Sequence, residues 1–328
     1  MASVPQALLA CRTAVSNADD ARLTWIRPVD ADERRALDER CARVWPPLVV
    51  RAATFAGAAV TRVAIVTWNL HDGRGDIPAL LRDLQAARVG VAAPDAVILL
   101  LQEYVRPTLP PPGWHLAYVP ARQTMRRDGG AATVADRGTA IFSSLPLDDL
   151  HAIELPLERQ RRIAVAATVR GVTTGGRHWQ ARVVSAHLEN RPGARRLWVR
   201  AGAARTRQAE ALLDALDLGP GPDETPVHDA VVLGADLNTW LGRHEHALQL
   251  LRDAFPSWSH EDVRPTIGFR MRLDHLFARL PRGAAATHAR LDVRYGSDHH
   301  PVVATIDFGA IQHERTGPEG PPPIPKEP

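Results

Sequence analysis

Seven polar residues stand where short apolar runs end or begin. Asn69 closes the run from Val63, Glu103 follows Ala96 to Leu101 by way of Gln102, and His187 closes Ala181 to Ala186. Asp236 and Asn238 follow Ala230 to Leu233, and Asp298 and His299 precede Val302 to Ile306. Carboxylates hold a hard cation such as Mg²⁺ through oxygen, amides and histidines contact anionic oxygens or position water, and an imidazole beside a carboxylate is fixed in one tautomer. Brought together, these groups have the chemistry of metal-assisted hydrolysis.

Each residue also has an ordinary reading. Asn69 alone is a strand-end amide bonded to backbone, Asp236 and Asn238 an Asx-turn, His187 a strand-end histidine, and Ser297-Asp298-His299 the cap of a strand. Glu103 alone is a surface acid, a reading weakened by the apolar run before it. Joint occurrence in order outweighs the separate readings. Other polar clusters do not rise above theirs. His244 and His246 flank Glu245 without the spacing of a helical zinc motif and read as a solvated helix face. His300 points away from His299 in an extended segment. Arg122, Arg126, Arg127 and Arg137 lie in a polar stretch that reads equally as a phosphate-contacting loop or as solvated surface, and the same holds for Arg191, Arg195 and Arg196.

The apolar runs predict the elements that must position these residues. Val63–Val66, Ala96–Leu101, Thr139–Phe142, Ile163–Val169, Ala181–Ala186, Ala230–Leu233, Arg272–Ala278 and Val302–Ile306 read as strands. The strand after Ala96 is expected to stop at Gln102-Glu103. Helices are expected over Ala31–Val44, after Asp76 as cap, and over Arg196–Leu216 with Gly219 beyond its end. Polar groups at the ends of consecutive buried strands converge when those strands share a sheet.

The chain has 328 residues, 45% hydrophobic and 23% charged, enough apolar mass for a sizeable core. One large catalytic domain over 61–310 is expected, with an N-terminal extension (1–60) laid over it and a Pro-rich, disordered tail (311–328). Lys and Arg total 40, and Lys326 is the one lysine, so the basic side chains are arginines, whose planar fork suits phosphate. The formal charge of +3 does not by itself argue for nucleic acid. Two cysteines, Cys11 and Cys41, are too few for a disulfide framework or a cysteine-ligated metal. No apolar run is long enough for a transmembrane helix. Leu8 to Cys11 looks like a lipobox but lacks a basic segment before it, so a cytoplasmic location is slightly favoured over an exported lipoprotein anchored through Cys11.

The ordered strings Thr67-Trp68-Asn69, Leu101-Gln102-Glu103, Ser185-Ala186-His187-Leu188, Gly234-Ala235-Asp236-Leu237-Asn238, Arg272-Leu273-Asp274-His275 and Gly296-Ser297-Asp298-His299 together resemble the endonuclease/exonuclease/phosphatase superfamily over about residues 62–308. The resemblance implies a four-layer α/β sandwich, two packed mixed sheets with helices outside, and metal-dependent hydrolysis of a phosphoester. It implies Mg²⁺ or Mn²⁺ on Glu103 with Asn69 at its edge and Asp298 beside it, and Asp236 orienting or deprotonating the attacking water. Asn238 would hold that water or a phosphate oxygen, His187 and His299 would donate to phosphoryl oxygens, and Asp274 would orient His299. Many nucleases of the family carry an acid where this chain has His71, so a single cation site is expected, with Asp72 an outer participant. Nucleic acid is the leading substrate and a monomer the expected state. A lipid or inositol phosphate ester, or a non-catalytic binding protein of the same fold, are the rivals.

Overall fold

The computed structural model describes residues 15–16, 23–53, 58–90, 92–105, 110–128, 131–190, 198–218, 228–256, 261–268, 270–280 and 284–310. Among the described residues fourteen strands form two sheets. In chain order the strands are β1 (Val15–Ser16), β2 (Leu23–Ile26), β3 (Leu48–Val50), β4 (Arg62–Asn69), β5 (Ala96–Val105), β6 (His115–Asp128), β7 (Ala131–Ser143), β8 (Asp148–Glu154), β9 (Ile163–Val172), β10 (His178–His187), β11 (Ala230–Asp236), β12 (Asp274–Arg279), β13 (Ala285–Arg290) and β14 (Val302–Asp307). The eight-stranded sheet runs β1-β3-β6-β7-β5-β4-β14-β13, and the six-stranded sheet runs β12-β11-β10-β9-β8-β2.

The helices α1 (Ala31–Cys41), α2 (Ile77–Gln85), α3 (Trp198–Leu216) and α4 (His246–Ala254) lie outside the sheets. One apolar cluster fills the space between the sheets, with Ile65, Ile98 and Leu100 facing Val165, Val183 and Val232. A second joins α2 to the outer face of the larger sheet, and a third joins α3 and α4 to the outer face of the smaller one. That is the four-layer sandwich with two mixed sheets. β4 and β5 run parallel, as do β10 and β11, and all four are buried along nearly their whole length. Parallel strands covered on both faces read as continuous apolar runs, which is why these four are plain in the sequence. α2 begins where Asp76 accepts a bond from the Ala79 amide at 2.9 Å, with Pro78 in its first turn.

Three expectations change. The strand from Ala96 does not stop at Gln102-Glu103. It continues to Val105 through a register shift between Leu101 and Tyr104, where Glu103 takes φ +54°. The polar stretch around Arg122 to Arg137 is a long antiparallel hairpin, β6 with β7, not a loop. Part of the N-terminal segment is woven into the sheets instead of lying over them: β2 pairs in parallel with β8, and β3 antiparallel with β6. Cys41 is disulfide-bonded; Cys11, with its lipobox-like context, lies outside the described residues, as do Arg191, Arg195, Arg196 and the tail. Among the described residues no helix is long and apolar enough to cross a membrane.

Candidate active site

Strand register builds the site. Across three neighbouring strands of the smaller sheet, His187 pairs with Asp236 and Asp236 with Asp274, so the ends of β10, β11 and β12 present one row of polar side chains. In the facing sheet Asn69, at the end of β4, pairs with Gln102 of β5. The two rows meet. Asn69 Nδ2 donates to Asp236 Oδ2 at 2.7 Å, and His187 Nε2 lies 3.4 Å from the same oxygen.

The sheets are held close at this level. Gln102 Nε2 donates to Thr67 Oγ1 at 3.2 Å and to Ser185 Oγ at 3.1 Å, and Ser185 Oγ donates to Leu101 O at 3.1 Å. A Cβ on Gly234 would stand 2.6 Å from Thr67 Cβ, so only glycine admits this approach.

His299 comes from the loop before β14. Its Nδ1 lies 2.6 Å from Asp274 Oδ2, and both side chains are buried. The loop is tied to β4, because Ser297 Oγ donates to Asn69 O at 2.7 Å and accepts from His299 N at 3.0 Å, while Trp68 Nε1 donates to His299 O at 3.2 Å. Thr266 Oγ1 accepts from the amides of Leu273 and Asp274 and fixes the start of β12. Burial disfavours a charged imidazole, but the contact with Asp274, with Asp236 nearby, raises His299 to about 10. His187 moves the other way: burial, then the charges of Arg162 and Arg137, lower it well below the ordinary histidine value. The site therefore holds one imidazolium and one neutral imidazole near pH 7.

Asp236 is pushed up to about 7, by burial first and then by Asp274, with His299 and the Asn69 amide opposing. Its Oδ1 accepts from the Asn238 amide at 3.0 Å. Asn238 adopts φ +52° and its side-chain Nδ2 donates to Leu188 O at 3.2 Å.

Glu103 stands at the rim. Its Oε2 accepts from the Asp72 amide at 3.0 Å and faces Arg137 Nη1 at 2.8 Å, while Arg137 also reaches Asp72 Oδ1 at 2.5 Å. Asp298 is half-exposed, with His71 Nδ1 3.2 Å and His299 Nε2 3.8 Å from its Oδ1. Asp298 Oδ1 and Asp274 Oδ1 are buried and accept no hydrogen bond. Ligand atoms of Asp236, Asp274 and His299 all lie within 4.8 Å of one another. Buried carboxylate oxygens that accept no hydrogen bond, and an aspartate pushed upward by burial and then by Asp274, are the features a divalent cation relieves. The carboxylates at this edge suit a hard, oxygen-seeking ion, while His299, held as an imidazolium on Asp274, is no ligand for it.

All eight expected site residues thus lie at one edge of the sandwich, Glu103 and Asp298 at its rim. His300 does not join them: its Nδ1 bonds to Leu291 O and its Nε2 accepts from Arg294. His244 and His246, in the turn before α4 and at its first residue, line a separate pocket with Gly202, Thr206 and Glu210 of α3. Arg122, Arg137, Arg161 and Arg162 line the pocket that also holds Glu103 and His187, and two of them are buried arginines that reach no farther than this edge's own groups. Arg137 is one, drawn inward by the hairpin. Arg162, absent from the sequence reading, is the other: it is 4% exposed, and its Nε and Nη2 have no partner. Burial pushes it down to about 10. The doubled Arg161-Arg162 just before the apolar start of β9 was the available signal.

The Endonuclease/Exonuclease/phosphatase family model matches residues 66–299, more than half of the chain. No curated protein matches the sequence. Among solved structures, an endonuclease/exonuclease/phosphatase from Beutenbergia cavernae DSM 12333 is 19% identical over 75% of this chain and 72% of its own, with a TM-score of 0.51. TDP2 from Caenorhabditis elegans is 20% identical over 75% and 74%, TM-score 0.40. Sphingomyelinase C from Streptomyces griseocarneus is 18% identical over 76% and 99%, TM-score 0.41. At these identities the likeness is one of fold.

Proposed function

The chain belongs to the endonuclease/exonuclease/phosphatase family, and from that premise we propose that it is a cation-dependent phosphoesterase that cuts a phosphodiester of nucleic-acid type with activated water. The observation that carries the reading is the register row His187, Asp236, Asp274, closed by Asn69 from the opposite sheet and by His299 on Asp274.

In this reading Asp236 accepts the proton of a water whose oxygen bonds to phosphorus as the ester P–O bond breaks. Asn69 and the Asn238 amide aim the carboxylate. Neutral His187 and charged His299 donate to the phosphoryl oxygens, where negative charge grows. Asp274 keeps His299 in place and protonated. Glu103, Asp298 and Asn69 would hold Mg²⁺ or Mn²⁺, which when bound neutralises the phosphate and the departing oxygen. Arg162 and Arg137 face the same pocket and supply donors for the substrate's phosphate. No covalent enzyme intermediate is needed.

A diester of a long polyanion is favoured because the pocket wall carries Arg122, Arg137 and Arg162, with Arg122 and Arg137 paired across the β6–β7 hairpin. A second reading keeps the chemistry and changes the leaving group to a lipid or inositol phosphate. Trp45 and Val134, 64% and 65% exposed, favour it, since the Trp45 amide bonds to Asp136 on the same arm as Val134. The test is a panel of nicked-plasmid, single-strand, sphingomyelin and inositol phosphate assays with Mg²⁺ or Mn²⁺, each with and without chelator. Cation-dependent nicking supports the first reading, lipid headgroup release alone supports the second, and no hydrolysis of any ester rejects both.

A further inference from the structure

Arg162 ends the segment that joins β8 to β9, and a buried guanidinium with unpartnered nitrogens holds its place only if its backbone is fixed from elsewhere. The β8–β9 ladder holds that backbone directly, with Leu155 N donating to Arg162 O at 3.1 Å, and the N-terminal segment, which lies outside the region matching the family model, braces the rest of the turn. Arg27, just after β2, donates through Nε to Glu154 Oε2 at 2.6 Å and through Nη2 to Asp38 Oδ1 of α1 at 2.9 Å. Glu154 is fully buried and also takes Arg161, neighbour of Arg162, through Nε at 2.9 Å and Nη2 at 2.7 Å. Arg161 in turn lies 5.9 Å over the Trp25 ring of β2. Glu33 of α1 accepts the Leu157 amide, and Arg40 Nη1 donates to Arg159 O at 3.2 Å. From the catalytic side Glu189 accepts the amides of Arg159 and Gln160 at 3.1 and 2.9 Å.

We infer that β2 and α1 of the N-terminal segment are a positioning clamp for Arg162, so that Arg27 and Glu33 act on substrate anchoring through an arginine they do not touch. The inference rests on the reading that this pocket binds a phosphate ester. Arg27, Glu33 and Arg40 grip three points along Glu154–Arg159, and the segment so held runs on to Arg162, which lines the pocket with Glu103 and His187. Glu33 needs only to accept, so Glu33→Gln retains the clamp where Glu33→Ala releases it.

The experiment is a double-mutant cycle on the full chain with Arg27→Ala, Arg162→Ala and both, plus Glu33→Ala and Glu33→Gln. Binding of inorganic phosphate is followed by phosphorus NMR titration, and bis(p-nitrophenyl) phosphate hydrolysis with Mn²⁺ gives KM and kcat. Arg27→Ala and Glu33→Ala are expected to weaken phosphate binding and raise KM about five- to tenfold with kcat within about twofold, while Glu33→Gln stays near wild type. In the Arg162→Ala background, Arg27→Ala is expected to add nothing. A full additive effect in that background, or unchanged phosphate binding in Arg27→Ala and Glu33→Ala, overturns the clamp. If the wild-type chain hydrolyses no phosphoester, the functional reading fails, and the phosphate titration still decides whether the clamp acts through Arg162.

Discussion

Asp236 accepts from the Asn69 side chain and the Asn238 amide while lying among acids, and that balance sets its pH behaviour. A carboxyl pushed up to about 7 is protonated below that pH and cannot take a proton from water. His299, raised to about 10, stays a donor until pH rises through that value. Activity is therefore expected to fall as pH drops through about 7 and to hold between the two values. A cation beside Glu103 and Asp298 favours the ionised aspartate, so raising Mn²⁺ should move the acid limb to lower pH. A pH–rate profile at two cation concentrations checks this, and an acid limb indifferent to the cation speaks against Asp236 as base. Asp236→Asn is expected to cost about 10²–10⁴-fold in kcat with the fold retained, as loss of a general base does. These residues were legible in the sequence because each stands where an apolar run ends or begins. Arg162 and Thr266 were not, because what they touch is decided by tertiary packing.

Strand ends aim the side chains, and the backbone pays for it locally. Glu103, Asn238, His71 and Asp72 all adopt positive φ without being glycine, an arrangement that costs on the order of 1–3 kcal/mol per residue and gathers at functional sites. The bulge that turns Glu103 depends on β5 pairing with β7, so a local pattern of apolar residues announced the strand but not its irregularity. β2 and β3, four and three residues long, were too short to show periodicity and were absorbed into the extension. Gly138 sits where the hairpin delivers Arg137, and a Cβ there would lie 2.0 Å from Val119 O. Gly138→Ala is expected to destabilise the chain by about 1–3 kcal/mol, read as a lower midpoint in urea, and to displace Arg137 from Glu103. An unchanged midpoint would show that the hairpin yields freely at this point.

At the scale of the molecule, two sheets pack so that residues from 69 to 299 meet at one edge, with α2, α3 and α4 closing the outer layers. The ordered strings carried the resemblance that implied this architecture, while the buried parallel strands themselves were visible as continuous apolar runs. Which ester is cut was not legible, because the walls around the row come from the hairpin and from the segment before β9, whose arginines look like any solvated surface until they are seen inside the pocket. The measurement closest to the central claim is anomalous diffraction from a crystal soaked in Mn²⁺. One ion is expected at this edge, about 2.0–2.6 Å from oxygens of Glu103 and Asp298, with Asn69 beside it. No ion there, or Mn²⁺ held only by acids on another face, would contradict the account.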